Sequence, residues 1–159
     1  KVARPAPTEG LDAEVALANQ TLDALVTDPQ KKFNVELVNP GDRPFPEPQM
    51  AALEALLARI MARWGIGPAG VIGHSDMAPD RKIDPGPRLD WHRLALQGRA
   101  IWPAGNADDL PLAESLTRIG YPEDPARLAA FRLRFRPWAD GPEDATDRRL
   151  AAALAYSLS

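Results

Sequence analysis

The residues of this chain best suited to hydrolytic chemistry collect in one short run. His74-Ser75-Asp76 opens it, Lys82 and Asp84 follow, and it closes at Pro87. The imidazole of His74 and the carboxylate of Asp84 are donors that suit a hard or borderline cation such as zinc. The loop between them must fold back to bring them together, and Pro79 and Pro85 lower the entropy lost in doing so. Lys82 could present its ammonium to an oxyanion forming on a metal-polarised carbonyl. Glu36, from an earlier stretch, is a candidate general base for a metal-bound water. Each also admits a structural reading. A His after a buried strand is often a hydrogen-bonded core residue, and a lone Glu in a strand usually faces solvent. A Lys beside an Asp is usually a surface ion pair worth about 0–1 kcal/mol. From residue types alone the reading stops at a candidate His/Asp metal site.

Composition narrows the chemistry further. The chain has no cysteine and only two histidines, His74 and His92, so a metal must be held by imidazole and carboxylate. Without cysteine, neither disulfides nor thiolate nucleophiles are available, and the redox compartment stays undetermined. At 159 residues, one domain or one domain with a small appendage is expected. With 45% hydrophobic and 26% charged residues, the composition is that of a folded globular protein. No apolar run reaches the roughly 18 residues of a membrane span. A formal net charge of -3 offers no whole-chain attraction for nucleic acid, which is not expected as a partner. The chain begins at Lys1 with neither a methionine nor a signal-like apolar stretch, so a processed or partial chain is expected.

The elements that must position these residues are marked out by the 17 prolines. Residues 1–10 read as an irregular leader, and the apolar spacing over 11–26 predicts a helix closed by Asp28-Pro29. Residues 33–38 alternate Phe33, Val35 and Leu37 with Asn34, Glu36 and Val38, which predicts a strand with Glu36 on the face opposite its apolar neighbours. Met50, Leu53, Leu57, Ile60, Met61 and Trp64 predict a strong helix over 48–64 ended by Gly65, with its methionines as core filling. Residues 71–73 predict a short buried strand leading into His74, and a short helix follows Asp90-Trp91. Beyond a linker at 102–106, three helical patterns follow. Leu112, Leu116 and Ile119 end at Gly120; Leu128, Phe131 and Phe135 end at Pro137; Leu150, Leu154 and Leu158 form the last, with Asp144 or Thr146 as its cap.

The run Gly73-His74-Ser75-Asp76, Ala78-Pro79, Arg81-Lys82, Asp84-Pro85-Gly86-Pro87 and Asp90-Trp91 resembles the signature of the zinc-dependent type 2 family of N-acetylmuramoyl-L-alanine amidases. Val35-Glu36-Leu37-Val38-Asn39-Pro40-Gly41 resembles the family's strand that carries its glutamate. The resemblance implies an α+β fold, a mixed β-sheet with packed helices. It implies His74 and Asp84 as Zn2+ ligands, Glu36 as the residue activating water and Lys82 as the stabiliser of the oxyanion. The implied substrate is peptidoglycan or a muropeptide, cut at the amide between N-acetylmuramic acid and L-alanine. Residues 108–159, with Ile119-Gly120-Tyr121 and Gly141-Pro142 before Asp144-Ala145-Thr146, resemble a small three-helix peptidoglycan-binding module. The expected organisation is a leader over 1–32, the C-terminal portion of an amidase domain over 33–103, and the helical module over 108–159.

One feature departs from the family pattern. The family takes a third zinc ligand from a His on an early strand, and residues 1–73 contain no histidine. His92 is a weak substitute in its Asp-Trp-x-Arg context. Two expectations follow: a zinc hydrolase whose third ligand lies outside this chain, or a catalytically inactive relative serving as a binding or accessory subunit with a protein assembly partner.

Overall fold

The computed structural model describes residues 33–105, 107 and 110–159. The helix expected over 11–26, and the leader before it, lie outside the described residues. The described residues fall into two compact units. Residues 33–36 with Pro46–Gly65 form one, and Leu37–Phe45 with Ile66–Ser159 form the other.

Helix α1, Glu47–Trp64, dominates the first unit. Pro46 stands at its N-cap and Pro48 falls in the first turn, where a missing N–H costs nothing. Met50, Leu53, Leu57 and Ile60 are its buried stripe, spaced three and four apart as the sequence predicts. Gly65 ends the helix in the left-handed conformation, φ 64°, and its N–H bonds the Met61 carbonyl. The Phe33 ring packs against Trp64 with centroids 5.4 Å apart.

The second unit opens with a 3-10 turn, Pro68–Gly70, and a single helical turn, α2, His74–Met77. Helix α3, Trp91–Leu96, is capped by Asp90, whose side chain accepts from the Arg93 N–H. Three further helices follow: α4, Leu112–Ile119; α5, Arg127–Phe135; and α6, Ala145–Ser157. Leu112, Leu116, Tyr121, Phe131, Phe135 and Leu154 form their shared core. Ile101 and Trp102, which precede α4 in the chain, pack against that core, so it also holds the segment leading into the helices. A second set of contacts is ionic. Asp147, fully buried, takes Arg132 Nη2 at 2.6 Å and Arg136 Nη1 at 2.6 Å. Arg132 also donates to the carbonyls of Gly141 and Pro142 at 2.7 and 2.8 Å. One arginine thus ties α5 to the turn before α6 and to the first turn of α6.

The α+β expectation is overturned: among the described residues there is no strand, and every regular element is helical. A strand exists only where neighbouring backbone groups complete its hydrogen bonds. At 71–73 those groups are otherwise engaged. The Val71 N–H bonds the Pro68 carbonyl at 3.3 Å, and the Gly73 N–H bonds the Asp76 carboxylate at 2.9 Å. Over 33–38 the expected alternation does hold. Phe33, Val35 and Leu37 are half-buried while Asn34, Glu36 and Val38 are exposed, yet no partner strand is present among the described residues to turn that periodicity into a sheet.

Candidate metal and catalytic site

The turn that carries His74 is built by close backbone approach. Gly73 lies so near the following loop that a Cβ there would sit 2.7 Å from Pro85 Cδ, closer than a side chain tolerates, and a tight 3.3 Å from the Asp84 carbonyl. The Ser75 N–H completes this seam by bonding the Asp84 carbonyl at 3.1 Å. The loop returns through a tight turn in which the N–H groups of Arg81 and Lys82 both bond the Ala78 carbonyl, at 3.2 and 2.9 Å. The result is direct contact between His74 Nδ1 and Asp84 Oδ2. The side chains are 29% and 50% exposed, so the pair is open to solvent and to a cation.

Lys82 is exposed on the same loop, and Asp84 is paired with His74 rather than with the lysine beside it. Glu36 is exposed, belongs to the unit that contains α1, and accepts a hydrogen bond from Asn34 Nδ2 at 2.8 Å. His92 stacks on Trp102, ring centroids 5.0 Å apart. Among the described residues no three His, Asp or Glu side chains converge on one point. A cavity of about 90 Å³ is lined by Ile72, Met77, Tyr121, Arg134 and Phe135 among others, and neither His74 nor Asp84 is part of its wall.

Sequence reasoning assigned no role to Asp76, and the structure gives it a central one. Its carboxylate is buried and accepts from the Gly73 N–H at 2.9 Å, the Tyr121 hydroxyl at 2.6 Å and Arg134 Nη1 at 2.9 Å. The Arg134 guanidinium is itself buried over the Trp91 ring, 4.0 Å from its centroid, and 5.1 Å from that of Phe135. Nε and Nη2 of Arg134 have no hydrogen-bond partner among the described residues, and the contact with the two rings is a cation–π one. Burial, reinforced by the negative charge of Asp76, pushes the Tyr121 hydroxyl well above its ordinary pKa of 10.0, so Tyr121 remains a neutral donor. A Gly-x-x-Asp spacing at the start of a turn was the only local signal for Asp76. Tyr121 and Arg134 lie 45 and 58 residues further on, beyond the reach of local pattern.

Residues 28–87, which hold the His74–Asp84 contact and Lys82, match the family profile described as N-acetylmuramoyl-L-alanine amidase. The chain's likeness to that amidase family rests on this segment. Among its relatives is the N-acetylmuramoyl-L-alanine amidase AmiD of Escherichia coli (strain K12), 39% identical over 134 residues, which are 70% of this chain and 49% of AmiD. The solved complex of E. coli AmiD with the substrate anhydro-N-acetylmuramic acid-L-Ala-D-gamma-Glu-L-Lys superposes with a TM-score of 0.64 at 34% identity, over 72% of this chain and 53% of that one. The 1,6-anhydro-N-acetylmuramyl-L-alanine amidase AmpD of Enterobacter cloacae is 37% identical over 62 residues, 39% of this chain and 33% of AmpD. The chain thus spans about half of AmiD and a third of AmpD.

The donors present fit zinc in part. An imidazole nitrogen and a carboxylate oxygen, donor types that zinc takes, are brought side by side. Catalytic zinc takes three protein ligands, and the described residues bring two together.

Proposed function

We propose that this chain carries part of a zinc-dependent hydrolase that cuts the amide between N-acetylmuramic acid and L-alanine in peptidoglycan fragments. The observation that carries the proposal is the contact between His74 and Asp84, made inside the segment that matches the amidase profile. In this reading His74 and Asp84 are two of the zinc ligands. Zinc, when bound, polarises the amide carbonyl and acidifies a water. Glu36 takes the proton of the attacking water and returns it to the departing amine of L-alanine, which would otherwise leave as an unstable anion. The Lys82 ammonium faces the carbonyl oxygen as it gains negative charge. The names of the relatives favour muropeptides of the anhydro-muramyl type as substrate. Residues 108–159, the three-helix segment, serve as a peptidoglycan-binding module.

The two-donor set favours a second reading, an inactive amidase relative that acts as a binding or accessory subunit. Zinc content and hydrolysis of anhydro-N-acetylmuramic acid-L-Ala-D-gamma-Glu-L-Lys, measured on this chain beside the full-length gene product, separate the two. Release of the free peptide by the full-length product, with little from this chain, supports the hydrolase. No release by either supports the inactive relative. Robust release by the 159-residue chain alone would show that two ligands from this chain are not the limit.

A further inference from the structure

We propose that the C-terminal helices position the His74–Asp84 pair, acting through Asp76. The inference rests on the reading of that pair as metal ligands, and it adds residues that the reading does not include. The chain of contacts is continuous. Tyr121, just after α4, and Arg134, within α5, hold the Asp76 carboxylate. Asp76 holds the Gly73 N–H. Gly73 sits against Pro85 at a distance only glycine permits, and the Ser75 N–H is bonded to the Asp84 carbonyl. His74 lies between those two residues and meets the Asp84 side chain.

The arrangement is costly for a purely structural contact. Two opposite charges are taken out of water, with the Arg134 and Asp76 side chains 3% and 8% exposed, and a buried pair of this kind is no better for stability than apolar packing of the same volume. What it supplies instead is direction. Three donors around one carboxylate fix its orientation, and through it the N-terminus of a helical turn only four residues long. The partners behind metal ligands commonly change metal affinity by roughly 10 to 100-fold. Tyr121, Arg134 and Asp76 stand one step further back and act on backbone position rather than on ligand basicity.

Tyr121→Phe is the direct test because it keeps the buried ring and removes only the hydroxyl that Asp76 accepts from. Two quantities are read: amide hydrogen exchange at Ser75, which reports the seam with Asp84 without any metal, and zinc affinity by competition with a chromophoric chelator. Leu150→Ala, at the edge of the helical core, is the control for lost stability alone. The expected result is about tenfold faster exchange at Ser75 and about tenfold weaker zinc binding in Tyr121→Phe. Asp76→Asn, if it folds, should shift both in the same direction, while Leu150→Ala lowers Tm and leaves both unchanged. Wild-type exchange and zinc affinity in folded Tyr121→Phe would overturn the proposal. So would equal shifts in Leu150→Ala, which would reduce the effect to general loosening. His74→Ala keeps the two readings distinct: if it leaves zinc affinity unchanged, the metal assignment fails, and Ser75 exchange alone decides the positioning.

Discussion

An ammonium two residues ahead of a carboxylate usually neutralises it. Here the His74 imidazole occupies the Asp84 carboxylate and leaves Lys82 exposed on the loop. That division of partners is what the proposed chemistry requires, because a lysine tied to Asp84 could not serve an oxyanion. Lys82→Ala is therefore expected to lower kcat of the hydrolysing form of the protein by roughly 10² to 10³, the usual cost of losing an oxyanion donor, with Tm unchanged. Glu36→Ala, which removes the proposed base, should cost roughly 10² to 10⁴. Steady-state kinetics on the anhydro-muropeptide checks both, and unchanged turnover in either variant would show its role to be misassigned. At this scale the sequence was informative. The types of His74, Asp84, Lys82 and Glu36 restrict what they can do, and Pro79 between His74 and Asp84, with Pro85 just beyond, favoured a loop that turns back. Asp76 was hidden because its partners come from distant helices.

The helical elements were legible where apolar spacing and a stop signal coincide. Helix α1 runs from Glu47 to Trp64 with its stripe and its Gly65 end as read, and α4 ends at Gly120 in the same left-handed way. The strands were not legible. Alternation over 33–38 is real as a pattern of exposure, but a strand depends on a neighbour that local sequence does not specify, and at 71–73 the backbone donors are taken by a turn and a side chain. At the start of α6 the cap was left open between Asp144 and Thr146. Asp144 holds it, accepting from the N–H groups of Thr146 and Asp147, while Asp147 reaches back to the Asp144 N–H. Burial alone would raise the Asp147 carboxyl, yet Arg132, the Asp144 N–H and Arg136 together hold it below its ordinary 3.8. A carboxyl depressed in the folded state contributes stability that is fully present above its unfolded value and lost as pH falls through its folded value. Thermal unfolding should therefore show Tm steady down to about pH 4 and falling below it. Asp147→Asn should lower Tm at pH 7, by an amount equivalent to about 3–5 kcal/mol for leaving Arg132 and Arg136 short of a buried partner, and should flatten the acid fall. An acid limb of wild-type steepness in Asp147→Asn would place the titration elsewhere.

For the molecule as a whole, the segment bearing the metal-ligand candidates and the C-terminal helices fall in one compact unit and share a buried ion pair, Arg134–Asp76. The family match covers residues 28–87, and the identity with AmiD extends over 70% of the chain. Among the described residues no helix is long and apolar enough to cross a membrane. The central claim is that His74 and Asp84 hold zinc together, and it is tested most directly by zinc titration of this chain against a chromophoric chelator, beside His74→Ala and Asp84→Ala. With two ligands in place of the usual three, binding should be weak but measurable, and each substitution should weaken it by at least roughly tenfold. Zinc binding of the same strength in the wild-type chain and in both variants would contradict the claim.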